Sequence, residues 1–132
     1  MSIDTADRQV LVDLEIAKSY NTMDDCELMV SKERWSGAAS RLYYAVFHAV
    51  CALLIHDGHR VKTHKGAGIT FSQKYIHTAL LPAEYGELFF QLENMREKSD
   101  YDCFYNTTAD EILMRVKPAK EMIDTIASLV KK

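Results

Sequence analysis

Apolar residues recur along this chain at spacings of three and four, the period of an α-helix, and no stretch alternates at the period of two that marks a half-buried strand. The first helical pattern runs from about Thr5 to Ser31, where Val10, Leu11, Leu14, Ala17, Leu28 and Met29 form an apolar stripe between charges. Its middle, Asn21-Thr22-Met23-Asp24-Asp25, holds weak helix formers and is a place for a bend. A second helix starts near Trp35 or Ser36 and continues to His56. Asp57-Gly58 stops it, because glycine takes the left-handed C-cap conformation freely. A short third helix is expected over about residues 67–78. Pro82 suits the first turn of a fourth, where its missing N–H has no intrahelical partner to lose. Tyr85, Leu88, Phe89, Leu92 and Met95 then carry that helix to about Ser99. Asn106-Thr107-Thr108 offers N-caps for the last helix, and Thr108-x-x-Glu111 comes nearer to a capping box than Thr107-x-x-Asp110. That helix should bury Ile112, Leu113, Val116, Ile123, Ile126 and Val130 and kink at Pro118. Lys131-Lys132 suits the negative end of its dipole. The pattern predicts an all-α, four- to five-helix up-and-down bundle, with residues 1–132 forming one domain.

Composition narrows the function classes. With 132 residues, 48% of them apolar, the chain can bury a core without disulfides or metals. Its net charge of −3 opposes long-range attraction to phosphate, which excludes a dedicated sequence-blind nucleic-acid binder and leaves only local patches. Cys26, Cys51 and Cys103 are odd in number and lack Cys-x-x-Cys spacing, so reduced thiols and a cytoplasmic setting are expected. The first residues lack the basic and apolar regions of a signal peptide. The longest apolar run, from Ala45 to Ile55, is broken by His48 and falls short of the ~20 residues of a membrane span, so no membrane association is expected. No cofactor is expected either. Gly-x-Ser-x-Gly and a Walker loop are missing, and Lys65-Gly66-Ala67-Gly68 lacks the remainder of a phosphate loop. His56-x-x-His59 with His64 gains only Asp57 as a further donor, so no metal site is expected.

Three groups of residues carry candidate chemistry. Arg41 and His48 stand seven residues apart on the apolar second helix, hence on nearly the same face. They are either a hydrogen-bonded core feature, with Asp100 or Asp102 as partner, or a phosphate binder and proton shuttle at the lip of a site. The adjacent Tyr43 and Tyr44 must face different ways, one of them into the core. Arg96 and Asp100 are four apart. They either form a surface pair worth about 0.2–0.5 kcal/mol, or Arg96 and Tyr101 border a dimer cleft that binds phosphate. Finally, His59, Arg60, Lys62, His64 and Lys65 make the only dense basic cluster. It lies beside a helix N-terminus near Gly66, and is either a solvated loop or an anion receptor.

Arg41-Leu42-Tyr43-Tyr44-Ala45-Val46-Phe47-His48-Ala49 resembles the R-x-Y-Y-A-x-F-H-A signature of small prokaryotic HEPN (higher eukaryotes and prokaryotes nucleotide-binding) proteins. Lys62-Thr63-His64, followed by a short apolar helix ending in Phe71, is similar to that family's K-T-H segment. Arg96-x-x-x-Asp100-Tyr101 is similar to its R-x-x-x-D-Y segment, and the resemblance extends from about Arg8 to Leu129. It implies a four- or five-helix bundle, often a homodimer, that pairs with a minimal nucleotidyltransferase in a toxin–antitoxin-like module and binds nucleotide or RNA. It also implies, as an alternative, a metal-independent ribonuclease toxin whose late helix carries R-x(4–6)-H. A purely structural interaction module is the third expectation. The late helix departs from the ribonuclease pattern: it reads Arg96-Glu97-Lys98-Ser99-Asp100-Tyr101, with Tyr101 where the histidine would stand. A phenol is a weak general base near neutral pH, and Asp100 and Asp102 would repel phosphate. The sites expected are therefore Arg96 with Tyr101 or, as a second choice, Arg41 with His48, for catalysis, and Arg60, Lys62, His64, Lys65 and Arg96 for phosphate.

Overall fold

A computed structural model describes residues 5–131. They form α1 (Thr5–Ser31), α2 (Trp35–His56), α3 (His64–Phe71), a π-helical turn (Ser72–Ile76), α4 (Ala83–Tyr101) and α5 (Ala109–Leu129), with no strand among the described residues. Lys132 lies outside them, so the expectation for the terminal lysine pair is not described in full.

α2 is the axis because it is apolar on most faces and must be covered on all of them. Leu42, Tyr43, Val46 and Val50 are fully buried, and Ala38, Ala45, Ala49 and Ala52 let the neighbouring helices approach closely. α1 runs antiparallel along it. Cys26 Sγ donates to the Ala38 carbonyl at 3.4 Å, Ser19 Oγ to the Ala45 carbonyl at 2.6 Å, and Glu15 pairs with His48 at 2.8 Å. α4 runs antiparallel to α2 in turn, with Ser36 Oγ donating to the Ser99 carbonyl at one end and Phe89 stacked on Tyr43 further along. α5 closes the bundle against α1 through Lys120–Glu27 at 3.0 Å and Tyr20–Asp124 at 2.6 Å. The result is the expected all-α up-and-down bundle.

Local chemistry sets the helix ends. Gly58, at φ 81°, donates to the Ile55 carbonyl and ends α2 in the left-handed region. Thr63 accepts from the Gly66 N–H at 2.8 Å and caps α3, which therefore opens at His64, before the expected residue 67. α3 tightens only as far as Phe71 and continues as a π-helical turn instead of one helix to residue 78. Pro82 is the N-cap of α4, one position before the expected first turn. Thr108 and Glu111 form the expected capping box on α5. That helix continues through Pro118.

The main correction concerns α1. Val10, Leu14 and Leu28 are more than half exposed, and the buried face is Val12, Ser19, Thr22, Met23 and Cys26. Ser19 and Thr22 tolerate burial because each hydroxyl donates to a carbonyl, Ala45 and Lys18 respectively. A count of apolar residues cannot register that satisfaction. The helix also runs unbroken through Asn21–Asp25, where a bend was expected. In α5, Leu113 is exposed and Val116 only half-buried, while Ala119 and Met122 fill the core. α2 is long and apolar enough to cross a membrane, contrary to the shorter run expected, but most of it is buried inside the bundle.

Candidate functional site

Tyr43 and Tyr44 project from α2 towards α4 and α3, and Arg96 meets them from α4. Arg96 is only 8% exposed, a rare burial for an arginine. Its guanidinium carbon lies 5.2 Å from the Tyr43 ring, 5.7 Å from Tyr44 and 5.9 Å from Tyr101. Cation–π contacts of this kind contribute about 0.5–2 kcal/mol each, more as water is excluded. The ion pair with Asp100 is long, 3.9 Å, and no hydrogen bond reaches the guanidinium among the described residues. Arg96 Nε and the Tyr43 hydroxyl are both buried without a partner. An unpaired buried polar group costs about 1–3 kcal/mol, so each of the two calls for a partner from outside the chain, such as an ordered water, an ion or a ligand. Burial first, then the charge of Glu93, pushes the Tyr43 phenol well above its ordinary pKa, so it keeps its proton as a donor.

Arg96 forms part of an open cleft of about 850 Å³, whose other walls are Tyr44, His64, Lys98, Tyr101 and the Asp102–Phe104 loop. The His64 ring comes from the first residue of α3 and lies 4.4 Å from Phe47 and 5.5 Å from Tyr44. Aromatic contacts thus hold the imidazole, while its nitrogens make no hydrogen bond among the described residues. Tyr101 and Phe104 are 79% and 93% exposed, an unusual outlay of apolar surface beside a cation. The loop is tied down: Asp102 Oδ1 accepts from the Phe104 N–H at 3.0 Å, and Ser99 and Thr107 share a hydrogen bond at 2.6 Å. Glu97 and Asp102 balance Arg96 and Lys98 around the rim, so the positive charge here is local to the guanidinium and no broad basic field surrounds it.

Residues 14–129 match the HEPN domain. The chain belongs to the HEPN family. A UPF0332 protein of Thermotoga maritima is 23% identical over 94% of this chain and 94% of its own length. Two proteins of Methanocaldococcus jannaschii described as candidate toxins are also similar. One is 30% identical over 73% of this chain and 65% of its own length. The other is 25% identical over 89% and 86% respectively.

On this HEPN bundle the structure sorts the residues singled out in the sequence. Arg96, Tyr101 and His64 come together in one cleft. Arg60, Lys62 and Lys65 are exposed and do not line it, so the basic cluster contributes only its histidine. Arg41 is half-buried and sits over one of the same tyrosines, 5.4 Å from the Tyr44 ring, outside the cleft. His48 pairs with Glu15 of α1, which overturns the expectation that Asp100 or Asp102 partners the Arg41/His48 pair. Helical period places both on one face of α2, but only the packing of α1 against that face identifies the carboxylate that reaches it. The buried arginine of the bundle is Arg96. His56 Nδ1 is held by Asp57 at 2.7 Å, and that carboxylate also accepts from Tyr75. Lys98 and Phe104 belong to the cleft and were not singled out in the sequence; their positions just before and after Tyr101 were the available signal. Burial pushes the thiols of the fully buried Cys26 and the half-buried Cys51 up to about 12, which makes both poor nucleophiles.

Proposed function

We propose that this HEPN protein is toxin-like, that its Arg96 cleft receives a phosphate of nucleotide or RNA, and that it works as the helical partner of a minimal nucleotidyltransferase in the cytoplasm. The carrying observation is the buried Arg96 guanidinium, clamped by three phenol rings yet without a hydrogen-bonded acceptor among the described residues. A phosphate oxygen is the acceptor that a planar guanidinium matches best. Tyr101 and Phe104 add exposed rings on which bases can stack. The relatives described as candidate toxins support a role in growth control, and residues 1–132 are read as one HEPN-like domain. The exposed row Val10, Leu14 and Leu28 on α1 supports a protein interface, with a second copy as the first expectation.

Binding of a fluorescein-labelled single-stranded RNA tests the cleft. Arg96→Ala should weaken it at least tenfold with the helical circular dichroism spectrum unchanged; equal affinity in the two proteins would rule the cleft out. Purification of the tagged protein from its native cells tests the partnership. Mass spectrometry should find a nucleotidyltransferase at near-equal amount, and its absence would end that part of the reading. A ribonuclease reading is favoured by one further observation, the imidazole beside Arg96.

A further inference from the structure

α1 and α5 each pack on α2 far more than on each other, so a furrow runs between them along the bundle. Two contacts bridge it near its middle, Tyr20 with Asp124 at 2.6 Å and Lys120 with Glu27 at 3.0 Å. On either side of these bridges the furrow opens into a hollow. One, of about 570 Å³, lies between Asp13, Ile16 and Ala17 of α1 and Asp124 and Ala127 of α5. The other, of about 480 Å³, lies between Val30 of α1 and Leu113, Val116, Lys117 and Lys120 of α5. Apolar side chains line both, but their charges differ. The first sets Asp13 and Asp124 against Lys131, and the second sets Lys117 and Lys120 against Glu27. One end of the furrow is therefore acidic and the other basic. Lys117 makes no ion pair among the described residues. Exposed apolar residues gather at the same two ends. Val10 and Leu14 flank the acidic hollow, and Leu28, Leu113 and Met114 flank the basic one, each more than half exposed.

A surface joined to its own copy by a two-fold axis must be complementary to itself. This furrow meets that condition in one orientation. A two-fold axis through the bridges lays two furrows antiparallel, so that each acidic end meets a basic end, and Val10 and Leu14 meet Leu28 and Leu113. The parallel arrangement would set like charge on like. The size also suffices. α1 has 27 residues and α5 has 21, about 40 Å and 30 Å of helix. Two such helices side by side, each about 10 Å across, offer a face of the order of the 800 Å² per partner that a stable interface buries.

We propose that a second copy of this chain docks on the α1–α5 furrow, antiparallel about a two-fold axis, an inference that rests on reading the exposed row of α1 as an interface between copies. Asp13 and Asp124 of each protomer then face the partner's Lys117 and Lys120. The Arg96 cleft takes no part, because its walls come from α2, α3, α4 and the loop after α4. Each cleft stays open and complete within one protomer, instead of lying between copies as the Arg96–Tyr101 spacing led us to expect.

Sedimentation equilibrium of the purified full chain tests the arrangement. Wild type should be a dimer. Asp13→Lys and Lys117→Glu, made singly, should each weaken the dimer at least tenfold, with the helical circular dichroism spectrum unchanged. An equimolar mixture of the two variants should regain wild-type affinity within threefold, because both charge contacts of the mixed dimer are then of opposite sign. A merely structural effect of either substitution would show no such rescue. Tyr101→Ser and Phe104→Ser in the cleft should leave the dimer intact. A wild-type dimer that withstands both charge reversals, that is not regained in the mixture, or that falls apart in the cleft variants overturns the furrow geometry and leaves the second-copy reading standing. A monomeric wild type at 100 µM or so removes both.

Discussion

Arg96 separates charge from shape at the level of a single side chain. Its guanidinium stacks among Tyr43, Tyr44 and Tyr101, whereas a lysine would keep the charge and lose the planar contacts. Arg96→Lys should therefore bind RNA nearly as poorly as Arg96→Ala in a polarisation assay. Full affinity in the lysine variant would show that a point charge suffices. The mixed rim of Lys98, Glu97 and Asp102 leads to a second expectation. Each phosphate neutralised on a single strand contributes a slope of about −0.7 to the dependence of log affinity on log salt. The wild-type slope should be shallow, and Arg96→Ala should lower its magnitude by about 0.7. In the core, Leu92 is fully buried, and Leu92→Ala should cost about 2–5 kcal/mol in denaturant unfolding. At this scale the sequence named Arg96 and His64 as polar residues of interest. It did not show that one is buried, or that the other turns away from Arg60, Lys62 and Lys65, because neighbours from other helices decide both.

Helix ends carry the predictions at the element scale. The Thr108 side chain accepts from the Glu111 N–H, and the Glu111 carboxylate accepts from the Thr108 N–H at 2.9 Å and from the Tyr105 hydroxyl. Burial raises the Glu111 pKa, but the hydrogen bonds from Tyr105 and Thr108 and the charge of Arg115 outweigh it and hold the carboxyl below its ordinary value. A carboxyl with a lowered folded pKa adds stability above its unfolded value, about 4.3, and that stability is lost as pH falls towards the folded value. Glu111→Gln should accordingly flatten the acid limb of the stability curve below about pH 4.5, measured as melting temperature against pH. An unchanged acid limb would show that the capping carboxylate does not couple to folding. Thr108→Ala should cost about 1 kcal/mol. At the other end of the fold, Gly58→Ala should cost about 1–2 kcal/mol, because φ 81° is strained for any residue with a Cβ. These ends were legible because caps are local: Thr108, Glu111 and Gly58 act within one turn of chain. The opening of α3 at His64 was legible in principle through Thr63, a capping residue three positions before Gly66.

Across the whole molecule, α1 keeps one face on the bundle and turns Val10, Leu14 and Leu28 outward. Leu14→Lys should lower the mass measured by light scattering from a dimer to a monomer with little change in monomer melting temperature. A wild-type protein that is already a monomer would assign that face to another partner. The packing also explains why α2 is apolar enough for a membrane yet belongs to a bundle: α1, α3, α4 and α5 all lie against it.

The sequence by itself determined the fold class, nearly all helix boundaries, the family motif on α2 and the caps, because period and capping are properties of consecutive residues. Only the tertiary structure decided which face of α1 is buried, since the hydroxyls of Ser19 and Thr22 find their acceptors through burial, one of them on another helix. Only it decided that Glu15 takes His48 and that Arg96, His64 and Tyr101 share a cleft. His64 and Arg96 are 32 positions apart in the chain. No periodicity spans that interval; the packing of α3 and α4 on the tyrosines of α2 does.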